Sequence, residues 1–87
     1  MFLSYDIMVD EHQRKNNPDG KTLKAIREAL GWTQEQMAKL LGVSPRAIRH
    51  YEGGTRQPRF SLEQVGLLIA TMRENGVPLE ILLKPPP

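Results

Sequence analysis

The chain has 87 residues and no cysteine, which excludes a disulfide framework and any thiolate metal site. Its two histidines, His12 and His50, stand far apart. No Ser–His–Asp arrangement, no pair of carboxylates at acid–base spacing and no glycine-rich phosphate loop is present, Gly53–Gly54 being too short a signal. These absences argue against an enzyme, a bound metal or a cofactor. Aromatic residues are few, with one Trp, two Tyr and two Phe. The length allows one modest core and not two. A domain of this size is marginal alone, so burying apolar surface in a dimer would help it. No apolar run approaches the ~20 residues of a membrane span, and the N-terminus lacks the basic-then-apolar pattern of a secretion signal. The expectation is a soluble cytoplasmic protein.

Charge of one sign is also scarce, the net being +2, but it is unevenly placed. Residues 1–20 carry −2 and residues 21–43 carry +2. Residues 44–59 carry +3, from Arg46, Arg49, Arg56 and Arg59 against Glu52, and the remainder carries −1. A basic cluster of this kind is the footprint of a polyanionic partner.

That cluster begins inside the most strongly patterned stretch, Thr33 to Tyr51, which reads as two short helices separated by Gly42 and Val43. Thr33 and Gln36 have capping-box spacing, and Trp32 and Met37 can form a hydrophobic staple around the cap. Ser44 caps the second helix, Pro45 sits in its first turn where a missing N–H costs nothing, and Val43 and Ile48 form the second staple. Ala38 allows close approach of the two helices, Gly42 supplies a left-handed turn, and Ile48 packs back. This is the spacing of a DNA-binding helix-turn-helix. On its second helix Ala47, Ile48 and Tyr51 point inward by helical spacing, leaving Pro45, Arg46, Arg49 and His50 outward. An α-helix fits the major groove, where arginine can donate two hydrogen bonds to guanine O6 and N7.

The run REALGWTQEQMAKLLGVSPRAIRHYEGGTRQPRF resembles the helix-turn-helix of the Cro and phage-repressor type, the xenobiotic-response-element family of bacterial and phage regulators. The resemblance covers roughly Leu23 to Leu83. It implies an all-α, five-helix, lambda-repressor-like domain over residues 21–83. By matching positions, it implies base contacts from Ser44, Pro45, Arg46 and His50, with Arg49 a further reader or a phosphate clamp. Pro45 departs from the polar residue usual in the family and can offer only an apolar contact. The resemblance gives Gln34 a phosphate contact and a bracing role, and places basic Arg56 and Arg59 beside the DNA backbone. It pairs Arg27 with Glu52, which hold the fold and do not touch DNA. It also implies a homodimer through residues 69–83 on a palindromic operator of double-stranded DNA, and a nucleoid-associated setting in a bacterium or phage.

Elsewhere the signals are local. Leu3, Tyr5, Ile7 and Val9 alternate, so residues 1–10 form either a short strand needing a partner or a disordered leader. Residues 11–20 read as a polar linker. A first helix is expected over Lys21–Leu30 with Leu23, Ile26, Ala29 and Leu30 on one face, ended by Gly31. Ser61 caps a fourth helix reaching Glu74, with Leu62, Val65, Leu68, Ile69 and Met72 as its apolar stripe. Val77 to Leu83 form a fifth helix, apolar on most sides, more than one small domain can bury. Residues 84–87 are a stiff proline tail. Two functions fit: a transcriptional regulator, in the first place a repressor, and an antitoxin-like interaction module using residues 1–10 or 77–83 on a partner protein. An ordered strand at residues 1–10 would favour the second.

Overall fold

The computed structural model describes residues 17–83, so the strand-or-leader question at residues 1–10 and the proline tail lie outside the described residues. Among the described residues the chain is all-helical: α1 Gly20–Leu30, α2 Gln34–Leu41, α3 Pro45–Glu52, α4 Leu62–Glu74 and α5 Glu80–Leu83.

Each boundary has a local chemical cause. At α2 the Thr33 hydroxyl accepts from the Gln36 amide (3.1 Å) while the Gln36 side chain accepts from the Thr33 amide (2.8 Å). Ser61 and Gln64 repeat this reciprocal box at α4. Ser44 caps α3 through the Ala47 amide at 3.0 Å. Two stops fix the angle of the motif. Gly31 (φ 73°) closes α1 as Trp32 donates back to the Arg27 carbonyl at 3.1 Å, and Gly42 (φ 71°) closes α2 as Val43 donates to the Ala38 carbonyl at 3.0 Å. Both positions need the left-handed backbone that glycine adopts without penalty.

The helices surround one core of Leu23, Ile26, Met37, Ala38, Leu41, Ile48, Phe60, Leu68, Met72 and Val77. Helix α1 packs on α3 and α5, and α2 packs on α3 and α4. Ile48 is fully buried, and Tyr51 meets Phe60 edge to face with centroids 5.7 Å apart, so the outer loop is anchored to α3. Gln64 donates to the Leu41 carbonyl at 2.7 Å, satisfying one of the free carbonyls at the end of α2 and tying α4 to it.

Three expectations change. Leu62 is 80% exposed and does not belong to the α4 stripe, because it lies about 120° round the helix from Leu68. Ala29 is likewise exposed, about 120° from Leu23, whereas polar Thr22 is buried. The C-terminal surplus is smaller than the sequence suggests: Val77 is buried, Leu79, Ile81 and Leu82 pack partly on the core, and Leu83 stays 80% exposed. The helical hydrogen-bonded part of this segment is also shorter, covering Glu80–Leu83.

The end of the expected linker is part of the fold. Asp19 caps α1, its carboxylate accepting from the Thr22 amide at 2.8 Å, and Asn17 accepts from the Phe60 amide at 2.8 Å. The Thr22 amide hydrogen bond holds the Asp19 carboxyl below its ordinary value of 3.8. A lowered folded-state value makes this stabilisation complete above the ordinary carboxylate range and lost as pH falls through the lowered value. Asp19→Ala is therefore expected to cost about 1 kcal/mol near neutral pH. In urea titrations the gap between the two proteins should be constant from about pH 7 to 5 and shrink below about pH 4.

Candidate nucleic-acid interface

Helix α3 is held from behind by a polar cluster. Arg27 of α1 grips Glu52 at the end of α3 with two parallel bonds, Nε to Oε2 at 2.7 Å and Nη2 to Oε1 at 3.0 Å. Its remaining nitrogen, Nη1, donates to the Trp32 carbonyl at 2.8 Å. Gln34 Nε2 donates to Glu52 Oε1 at 3.1 Å. One carboxylate thus fastens three helices. The pair is largely out of water, with 14% and 5% of the two side chains exposed, and the hydrogen bonds that Arg27 donates to Glu52 raise the guanidinium further above its ordinary value. A fork-on-fork pair fixes direction as well as distance.

This arrangement decides the sign of the outer surface. Glu52 is the only acid in residues 44–59, and it is turned inward and neutralised. Arg46, Arg49, Arg56 and Arg59 are all exposed. The segment therefore offers four cations to solvent and no competing carboxylate.

The expected site residues fall into two groups. Ser44 is exposed, and its hydroxyl accepts from the Ala47 amide as the cap of α3, which leaves its O–H to donate. Pro45 and His50 are half-buried, while Arg46 and Arg49 are exposed on α3. In the following loop Arg56 and Arg59 are exposed and Pro58 is buried. Gln34, the first residue of α2, has its amide committed to Glu52, which is the bracing geometry; its second amide hydrogen remains for an anion. Residues that the sequence does not single out are Thr55, whose hydroxyl lies 3.2 Å from His50 Nδ1, and Gly20, whose backbone touches α3. No group of three or more His, Asp or Glu able to hold a metal occurs among the described residues, and no helix there is long and apolar enough to cross a membrane.

Residues 23–62 match the helix-turn-helix family model. Three similar proteins, each provisionally named an HTH-type transcriptional regulatory protein, come from archaea. One from Pyrococcus horikoshii is 37% identical over 67 residues, covering 77% of this chain and 19% of its own. One from Pyrococcus abyssi is 39% identical over 51 residues, 54% of this chain and 16% of its own. One from Archaeoglobus fulgidus is 33% identical over 61 residues, 70% of this chain and 20% of its own. The chain spans about a fifth of the length of the first of these relatives. No solved structure matches. Residues 23–62 thus carry a segment similar to the helix-turn-helix family, in keeping with the Cro and phage-repressor type that the sequence resembles. The archaeal origin of the three relatives means that the resemblance does not confine the chain to bacteria or phage.

Proposed function

We propose that the protein binds double-stranded DNA sequence-specifically, as a transcriptional regulator, with α3 in the major groove. The observation that carries this reading is the inward turn of Glu52, which leaves Arg46 and Arg49 on the helix and Arg56 and Arg59 in the next loop as uncompensated exposed cations. Arg46 and Arg49 are the donors suited to guanine edges, with His50 as a further reader and Pro45 as an apolar contact. Arg56, Arg59 and the free amide hydrogen of Gln34 take the phosphates and set the register.

A two-fold dimer completes the proposal. Leu67 and Leu83 are exposed at 46% and 80%, and half-buried Ile69, Ile81 and Leu82 belong to the same two helices. Pairing this surface in a second copy would place two recognition helices on half-sites about 34 Å apart, or a multiple of that. Occupying a palindromic operator in the cytoplasm would then repress the gene behind it.

Selection of binding sites from random duplex DNA, at a fixed salt concentration of about 150 mM, tests the reading. A palindrome with guanines in each half-site is expected; weak, salt-sensitive binding without enrichment of any sequence would refute it. On the selected site the two classes of contact separate. Arg46→Ala should cost about 1–3 kcal/mol and relax the preference at one base position. Arg59→Ala should weaken binding to all sequences alike and lower the slope of log K against log salt by about one. Fluorescence anisotropy titrations over a salt series distinguish the two outcomes.

A further inference from the structure

We propose that Asn17 is a positioning residue of the DNA interface: its side chain holds the loop that carries Arg59, so that this guanidinium is aimed at a backbone phosphate before DNA arrives. The inference rests on the DNA-binding reading above and adds to it a residue that lies ahead of α1 and outside the matched residues 23–62.

The loop between α3 and α4 is tied down in two halves. In the first half the amides of Gly53, Gly54, Thr55 and Arg56 donate back to the carbonyls of Arg49, Tyr51 and His50, so this half moves with α3. In the second half exposed Arg59 stands between buried Pro58 and buried Phe60. Pro58 has no N–H to offer. The Phe60 amide is the anchor here, donating to Asn17 Oδ1 at 2.8 Å across 43 positions of sequence. A peptide unit is planar, so orienting that N–H orients the Arg59 carbonyl and Cα with it.

Asn17 is itself well held. The proline after it confines its backbone to the extended region, Pro18 is buried, and Asp19 caps α1 two residues on. The loop is thereby tied to α1, the helix whose Arg27 grips Glu52, and Arg59 keeps a fixed place relative to the exposed arginines of α3. A long basic side chain on an untethered loop must be ordered as it binds, which lowers affinity. Asn17 removes the part of that loss that belongs to the backbone. Because the contact is to phosphate, Asn17 acts on affinity for every sequence and not on base preference.

Fluorescence anisotropy with the full chain, on the selected duplex and on an unrelated one at about 150 mM salt, tests this through a double-mutant cycle. Asn17→Ala removes the acceptor and should weaken binding to both duplexes by roughly 3- to 10-fold, the range of one neutral hydrogen bond. In an Arg59→Ala background the same change should cost less than about 2-fold, because the side chain it positions is gone. Site selection with Asn17→Ala should return the wild-type sequence. No loss in the wild-type background, or an equal loss without Arg59, would overturn the proposal, since a residue that merely holds the fold acts whether or not Arg59 is present. A second measurement needs no DNA. Hydrogen exchange at the Phe60 amide should speed up roughly 10-fold or more in Asn17→Ala, while the amides of Leu23 and Ile26 keep their protection. Unchanged exchange at Phe60, or loss of protection at Leu23 and Ile26 as well, would also overturn it. A wild-type chain that binds no duplex would overturn the DNA-binding reading and this inference together, whereas binding with additive losses overturns this inference alone.

Discussion

Gly20→Ala is expected to destabilise the protein by about 3 kcal/mol, in the upper range of overpacking costs. Gly20 opens α1 at the point where that helix meets the end of α3. A methyl group there would sit 1.9 Å from the Tyr51 carbonyl oxygen and 2.9 Å from its carbon. Both are backbone atoms of α3, so no side chain can swing aside. Either α1 withdraws, loosening Leu23 and Ile26 from the core, or α3 shifts and strains the grip of Arg27 on Glu52. The expected loss in Tm is about 10 °C or more for a domain of this size. The helix propensity gained by alanine, about 1 kcal/mol, is too small to reverse the sign. Gly66→Ala in α4 is the control, since nothing lies within 4 Å of the added methyl. There the propensity is uncontested, and a gain of about 0.5–1 kcal/mol is expected. Thermal melts showing both variants shifted in the same direction would contradict the close contact.

Glu52→Ala carries the second large effect, a loss of about 3 kcal/mol. Removing one member of a largely buried pair strands the other, which costs more than the pair itself contributes. Here it strands the Arg27 guanidinium, 14% exposed, and leaves the Gln34 amide without its acceptor. A double-mutant cycle separates these contributions. Arg27→Met combined with Glu52→Ala should be less damaging than the sum of the single changes, with a coupling above about 1 kcal/mol. Additive losses in urea denaturation would show that the pair does not act as a unit.

Both variants test features that are unequally legible in the sequence. The two helices of the motif are readable because their ends carry side-chain signals: Thr33 with Gln36, Ser44 before Pro45, and glycine at 31 and 42. The pairing of Arg27 with Glu52 comes from the family resemblance, and the fork geometry joining them in the structure gives that pairing a physical form. Residues 17–20 look like linker because Asn, Pro, Asp and Gly signal turns wherever they occur. Whether Asp19 is a turn residue or a helix cap depends on the amides that come to lie beside its carboxylate, and Gly20 is decided by a carbonyl 31 residues further along the chain. Leu62 falls outside its expected stripe because an apolar run along a helix tolerates positions that the helical angle excludes. The Gln64–Leu41 and Thr55–His50 contacts are invisible for a similar reason, since polar side chains that bond a backbone or one another leave no periodic trace.

Which surface meets DNA is the central question, and an amide NMR titration of the full chain with the duplex recovered by selection answers it directly. Shifts concentrated at residues 44–59, with Gln34 and its neighbours as a second patch, are the expected result. Shifts confined to α4 and α5, or no saturable shifts at all, would contradict the assignment of the four exposed arginines as the DNA-binding face.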